Sequence, residues 1–218
     1  GVLEDPWNEP PQDVFAWTRP VAQTPDDPGY VEVEFEQGVP TQLDGQRLEL
    51  VPLIQQLHHL AGLHGIGRID HVENRLVGIK SREVYEAPAA VVLLKAHRAL
   101  EDLVLSRAQL RFKAHVAREY ADLVYNGLWF SGLRQDLAAY VASTQRFVTG
   151  TVRLKLSKGN CQVVGRKSPY SLYNFALATY DRGDAFDQSD APGFIHIWGL
   201  PVRTQAAAQH LFSTDPST

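Results

Sequence analysis

Thr151-Val152-Arg153-Leu154-Lys155-Leu156-Ser157-Lys158-Gly159-Asn160-Cys161-Gln162-Val163-Val164 decides the fold class. Val152, Leu154 and Leu156 alternate with Arg153 and Lys155, the two-residue period of a strand with one buried face. Ser157-Lys158-Gly159-Asn160 is a turn, and Cys161 to Val164 returns, so the segment is a β-hairpin. A second alternation sets Val31, Val33 and Phe35 against Glu32, Glu34 and Glu36. It turns at Gln37-Gly38, and Val39 to Leu43 returns before Asp44-Gly45.

Between the two hairpins the apolar spacing is helical. Leu50, Leu53, Ile54, Leu57, Leu60 and Ala61 share one face, Pro52 fits only in the first turn, and Gly62 and Gly65 mark the end. Ile69 to Val77 reads as a strand, and Gly78 to Glu86 as a further strand or ordered loop. Pro88 opens a helix through Leu105. Ser106 caps another that runs to about Tyr125, ahead of Gly127. Leu133, Leu137, Tyr140 and Val141 mark a third. Further on, the pattern predicts a helix over Ser168–Tyr180, a strand over Phe194–Trp198 and a short helical tail over Gln205–Phe212. At the other end, Pro6, Pro10, Pro11, Pro20, Pro25 and Pro28 predict an extended arm over residues 1–29, held to a surface by Trp7, Phe15 and Trp17. Strands and helices mix without a βαβ rhythm. The fold class is therefore α+β: a mixed or antiparallel sheet packed with amphipathic helices, a Pro-rich N-terminal arm and a short C-terminal helical tail. The expected organisation is an arm at 1–29, a domain at 30–201 and a tail at 202–218.

Composition narrows the function classes. The formal net charge of −4 lacks the basic excess of a nucleic-acid binder, so the hairpin cluster Arg153, Lys155, Lys158, Arg166 and Lys167 reads as solvated charge. Cys161 is the single cysteine, which excludes a disulfide framework and fits a reducing, cytoplasmic setting. No apolar run reaches the roughly 18 residues of a membrane span. A chain without methionine that starts at Gly1 is expected to be part of a longer or processed polypeptide.

Polar residues are densest from His64 to Pro88. Arg68, Asp70, His71, Glu73, Asn74, Arg75, Lys80, Ser81, Arg82 and Tyr85 stand there, among glycines at 65, 67 and 78. On a strand, Ile69, His71, Glu73 and Arg75 share one face, and Asp70, Val72, Asn74 and Leu76 the other. Two readings fit: a pocket for a zwitterionic small molecule, or a solvated face with structural ion pairs. His71-Val72-Glu73 has the H-x-E form of zinc deaminases but lacks their paired cysteines. His58, His59 and His64 lack the i, i+4 spacing of a helical metal pair, and no metal is expected. Gly65-Ile66-Gly67 is no dinucleotide fingerprint, and no GxxxxGK[ST] phosphate loop occurs.

Several long segments resemble the argininosuccinate synthase family. They are Gly-Val-Leu-Glu-Asp-Pro-Trp at 1–7, Glu-Phe-Glu-Gln-Gly-Val-Pro at 34–40 and the His64–Pro88 stretch. Leu-Val-Tyr-Asn-Gly-Leu-Trp-Phe-Ser at 123–131, Val-Thr-Gly-Thr-Val-Arg-Leu-Lys-Leu at 148–156 and Gly-Arg-Lys-Ser-Pro-Tyr-Ser-Leu-Tyr at 165–173 follow in order. The Ser-Arg-Glu-Val-Tyr-Glu-Ala-Pro form resembles a bacterial subtype. Gly132 in place of a frequent proline, and Phe175-Ala176 in place of an acidic pair, are departures that touch local packing.

The resemblance implies a ligase that activates the ureido oxygen of citrulline with ATP (and Mg), releasing pyrophosphate. The amine of aspartate then displaces AMP. It implies that ATP and most aspartate and citrulline contacts belong to an N-terminal domain with a Ser-Gly-Gly-Leu-Asp-Thr-Ser loop, which this sequence lacks. Residues 1–29 would link to that domain. From the C-terminal domain the resemblance implies a Glu and a Tyr at the citrulline site, here Glu73 and Tyr85, both in binding roles. It also implies a homotetramer. The competing expectation is a non-catalytic binding or assembly module that kept the fold.

Overall fold

A computed structural model of the protein describes residues 1–178, 187–209 and 211. Two compact units divide the chain, residues 1–172 and 173–218.

The first unit is built on a five-stranded sheet. Its strands are β1 (Gly29–Glu36), β2 (Val39–Leu43), β3 (Gln46–Arg47), β6 (Gly150–Ser157) and β7 (Asn160–Lys167), in the order β3-β2-β1-β6-β7. Every pairing is antiparallel. Val33 lies opposite Val152 and Val31 opposite Leu154, so the two alternating patterns bury the same face. The turns at Gln37-Gly38, Asp44-Gly45 and Lys158-Gly159 hold both residues at positive φ, the form whose twist matches a two-residue hairpin.

Helices α1 (Leu50–Leu63) and α2 (Pro88–Val104) cover the apolar face. Leu53, Leu57 and Ala61 from α1, and Val92, Ala96 and Leu100 from α2, join Val31, Val33, Phe35, Val152, Leu154 and Leu156 in one buried cluster. Pro52 sits in the first turn of α1, where it removes no helical hydrogen bond. Helix α3 (Arg107–Tyr125) begins at a capping box. Ser106 Oγ accepts from the Gln109 backbone N–H, and the Gln109 side chain reaches back to Ser106. Helix α4 (Gly132–Gln145) follows, capped by Ser131.

A two-stranded ribbon, β4 (Arg68–Asn74) and β5 (Lys80–Glu86), stands apart from the main sheet, between α1 and α2. Gly67 makes the junction possible. Its φ is +113°, its carbonyl accepts from the Ala87 N–H, and a Cβ there would lie 2.5 Å from the Pro88 nitrogen. Only a residue without a side chain lets the start of β4 pass so close to the start of α2.

Residues 1–28 depart from the expected extended arm. They form three short 3-10 turns, Val2–Glu4, Gln12–Val14 and Val21–Gln23, joined by extended residues. Proline preset the φ values, and neighbouring residues closed single turns around them.

His64, at the end of α1, is almost fully buried, and its Nδ1 has no hydrogen-bond partner. Burial lowers the pKa of its imidazole. As pH falls below about 6.5, the unfolded chain takes a proton that folded His64 resists, and stability drops. Thermal midpoints measured from pH 7.5 to 5.5 should fall less in His64→Gln than in the wild type.

The second unit is helical among its described residues. It holds α5 (Phe175–Ala178), a 3-10 turn at Gln188–Asp190, α6 (Ala191–Trp198) and α7 (Leu200–Ala208). Three sequence expectations change here. Residues 194–198 are helical, not a strand: Pro192 starts the helix, and Phe194 and Trp198 stack with ring centroids 5.6 Å apart, as side chains four apart on a helix do. Residues 168–174 are not helical. Ser168 Oγ accepts from the Tyr170 N–H in a local turn, and the helix is confined to Phe175–Ala178, with 179–180 outside the described residues. The tail helix starts earlier than expected, at Leu200, and position 212 lies outside the described residues.

Candidate functional site

The register of the β4–β5 ribbon settles which polar residues meet. Ile69 lies opposite Tyr85, His71 opposite Glu83, and Glu73 opposite Ser81. Cross-strand partners share a face, so Glu73, His71, Glu83, Ser81 and Tyr85 all line one side. Glu73 and Tyr85 stand four positions apart along the strand direction, roughly 14 Å at about 3.4 Å per residue. His71 bridges that gap. Its ring centroid lies 5.5 Å from that of Tyr85, and its Nε2 lies 3.8 Å from Glu73 Oε2.

Arg75, beyond the end of β4, folds back over the same face. Its guanidinium donates to Glu83 at 2.6 Å and to Ser81 Oγ at 2.9 Å, and its Nε lies 3.5 Å from Glu73 Oε1. Two carboxylates against one guanidinium leave the face with a surplus negative charge when His71 is neutral. Tyr125, the last residue of α3, reaches in from outside the ribbon and donates its hydroxyl to Glu73 Oε1 at 3.2 Å. The other oxygen, Oε2, accepts no hydrogen bond among the described residues. Tyr85 is 47% exposed, so the face is open. At the ribbon's tip Leu76, Val77 and Ile79 are also exposed.

The opposite side of the ribbon has a different job. Arg82 forms two hydrogen bonds to Asp70, at 2.9 and 2.5 Å. It also donates to the carbonyls of Leu3, Asp5 and Asn8. The hydrogen bond from Arg82 keeps the Asp70 carboxyl below the usual carboxylate range. Arg68 donates to Thr18 and Gln12 and stacks on the Phe15 ring at 3.9 Å. Glu86 accepts the backbone N–H groups of Ala16, Trp17 and Thr18 and the Thr18 hydroxyl. The N-terminal segment is thus fastened to the back of the strands that present Glu73 and Tyr85.

Of the polar residues singled out in the sequence, Glu73, Tyr85, His71, Ser81 and Arg75 come together, while Arg68, Asp70 and Arg82 face away. Asn74 and Lys80 pair with each other at 2.8 Å near the ribbon's tip. Tyr125 was not singled out as a site residue: fifty-two residues from Glu73, it entered only as a helix end and within the 123–131 family segment. Among the described residues no group of three His, Cys, Asp or Glu side chains could hold a metal ion, and no helix is long and apolar enough to cross a membrane. No contact to Mg or ATP is assigned to this chain.

Comparison with known proteins agrees with the sequence resemblance. The family model for the arginosuccinate synthase C-terminal domain matches residues 1–205. An argininosuccinate synthase of Dehalococcoides mccartyi (strain BAV1) is 65% identical over 99% of this chain and 53% of its own length. That of Synechococcus sp. (strain JA-2-3B'a(2-13)) is 59% identical over 94% of this chain and 52% of its own. That of Symbiobacterium thermophilum is 57% identical over 96% and 52%. The chain spans about half the length of the curated relatives it matches. Matched along nearly all its length by that family model and by these relatives, the chain belongs to the argininosuccinate synthase family and corresponds to its C-terminal domain.

Proposed function

We propose that this chain supplies the citrulline-binding face of an argininosuccinate synthase, which joins citrulline to aspartate at the expense of ATP in the cytoplasm. Glu73 takes the α-ammonium of citrulline, and Tyr85 holds the amino-acid end. Both residues bind and orient; neither moves a proton. The observation that carries the reading is the shared face: a carboxylate with one oxygen that accepts no hydrogen bond among the described residues, and a phenol, on a surface with surplus negative charge. An ammonium is the ligand group such a surface favours.

The openness of that face fits a half-site that a second surface closes. ATP, held by the part of the enzyme outside this chain, supplies the activation of the ureido oxygen. Aspartate is likewise placed by that part. On this reading residues 1–29 connect the two parts, 30–201 form the C-terminal domain and 202–218 its tail, and the complete enzyme is a homotetramer. Holding two substrates and ATP in attack geometry accounts for much of such a reaction's rate, so the chain alone is expected to be inactive. Citrulline- and aspartate-dependent AMP release should be absent from the isolated chain and present in the complete enzyme. Turnover by the isolated chain would overturn the half-site reading. A silent complete enzyme would overturn the ligase reading in favour of a binding module.

A further inference from the structure

We infer that Tyr125 is a positioning residue for citrulline: its hydroxyl fixes the Glu73 carboxylate so that Oε2 is presented to the substrate ammonium. The inference rests on the reading of Glu73 as the ammonium-binding group, and adds a residue from another element to it.

Glu73 needs such a partner. The terminal torsion of a Glu side chain is broad, so rotamer preference does not set the plane of its carboxylate. Contacts must set it. The two nearest fall on one oxygen: Tyr125 donates to Oε1 at 3.2 Å, and Arg75 Nε lies 3.5 Å from the same atom, while at Oε2 only His71 Nε2 stands near, at 3.8 Å, beyond hydrogen-bond distance. Arg75 is already committed to Glu83 and Ser81 at 2.6 and 2.9 Å. Among the described residues the Tyr125 hydroxyl makes no other hydrogen bond and serves Glu73 alone.

The backbone holds Tyr125 where it can do this. It closes a 19-residue helix that ends in a Schellman motif. Gly127 adopts φ +72°, its N–H donates to the Val124 carbonyl, and the Leu128 N–H donates to the Leu123 carbonyl. The helix therefore stops at a defined residue and aims the phenol at β4 from a fixed base. Partial burial, and then the Glu73 carboxylate, raise the pKa of the phenol, which keeps it protonated as a donor.

The test is a double-mutant cycle in the complete enzyme carrying this chain, with Tyr125→Phe, Glu73→Gln and the pair. Tyr125→Phe is expected to raise the citrulline KM roughly three- to tenfold, less than the loss of the Glu73 charge itself, because the phenol only holds the carboxylate that makes the contact. The KM values for ATP and aspartate, kcat and the thermal midpoint should stay close to wild type. The pair should be little worse than Glu73→Gln alone, since two residues acting through one contact are not additive. Suppose Glu73→Gln raises the citrulline KM while Tyr125→Phe leaves it unmoved, or the two effects add. Then Tyr125 does not act through Glu73, and the inference fails with the site intact. A Tyr125→Phe enzyme that loses kcat and stability together would show a structural role and overturn it too. If Glu73→Gln itself leaves the citrulline KM unchanged, the reading of the site falls, and the inference with it.

Discussion

Glu86→Ala is expected to lower stability by about 2–4 kcal/mol and to free the first eighteen residues from the ribbon, one of the two largest effects foreseen for this chain. The carboxylate of Glu86 is the common acceptor for three consecutive backbone N–H groups and the Thr18 hydroxyl, at 2.6–3.0 Å. Thr18 is buried, so its N–H would lose its partner where water reaches poorly. Burial pushes the Glu86 pKa up, but these hydrogen bonds outweigh it and leave the pKa lowered. The fastening is therefore present above the unfolded value of about 4.5 and is lost as pH falls through the folded one. Denaturant unfolding would give the stability loss. Hydrogen exchange would show the Ala16, Trp17 and Thr18 amides losing protection first. A variant that keeps both would mean that Arg82 and Arg68 hold the segment unaided.

The second large effect falls on the substrate. Glu73→Gln in the complete enzyme should raise the citrulline KM roughly 10- to 160-fold. That corresponds to the loss of a charge-assisted contact of about 1.5–3 kcal/mol. The amide keeps the shape and can still accept from Tyr125, so the fold should survive. What it loses is the negative charge proposed to face the ammonium. The KM values for aspartate and ATP should change little. Steady-state kinetics with each substrate varied in turn would separate these.

Much of the architecture was legible in the sequence because it is written in local periodicity. The alternation in Val31–Phe35 and Val152–Leu156 gave two strands that pair with each other, and Ser106 gave a helix start. Phe194–Trp198 was misread because a short apolar run suits strand and helix alike, and Pro192 two residues before it was the deciding signal. Residues 1–28 were misread because proline excludes long helices but not single 3-10 turns. At the site, the alternation His71, Glu73 placed two residues on one face, and the register added Tyr85. The roles of Glu73 and Tyr85 came from family resemblance alone. Tyr125 and the fastening by Arg82 and Glu86 were not legible. They depend on hydrogen bonds between residues 52 to 79 positions apart, which no local pattern encodes.

A crystal structure of the complete enzyme with citrulline bound would show whether Glu73 and Tyr85 form the face that holds the amino-acid end of citrulline. The substrate ammonium is expected at hydrogen-bond distance from Glu73 Oε2, about 2.7–3.0 Å, with Tyr85 against the same end of the molecule. Citrulline bound elsewhere, with its ammonium on other groups and Glu73 facing only Tyr125, Arg75 and His71, would contradict it.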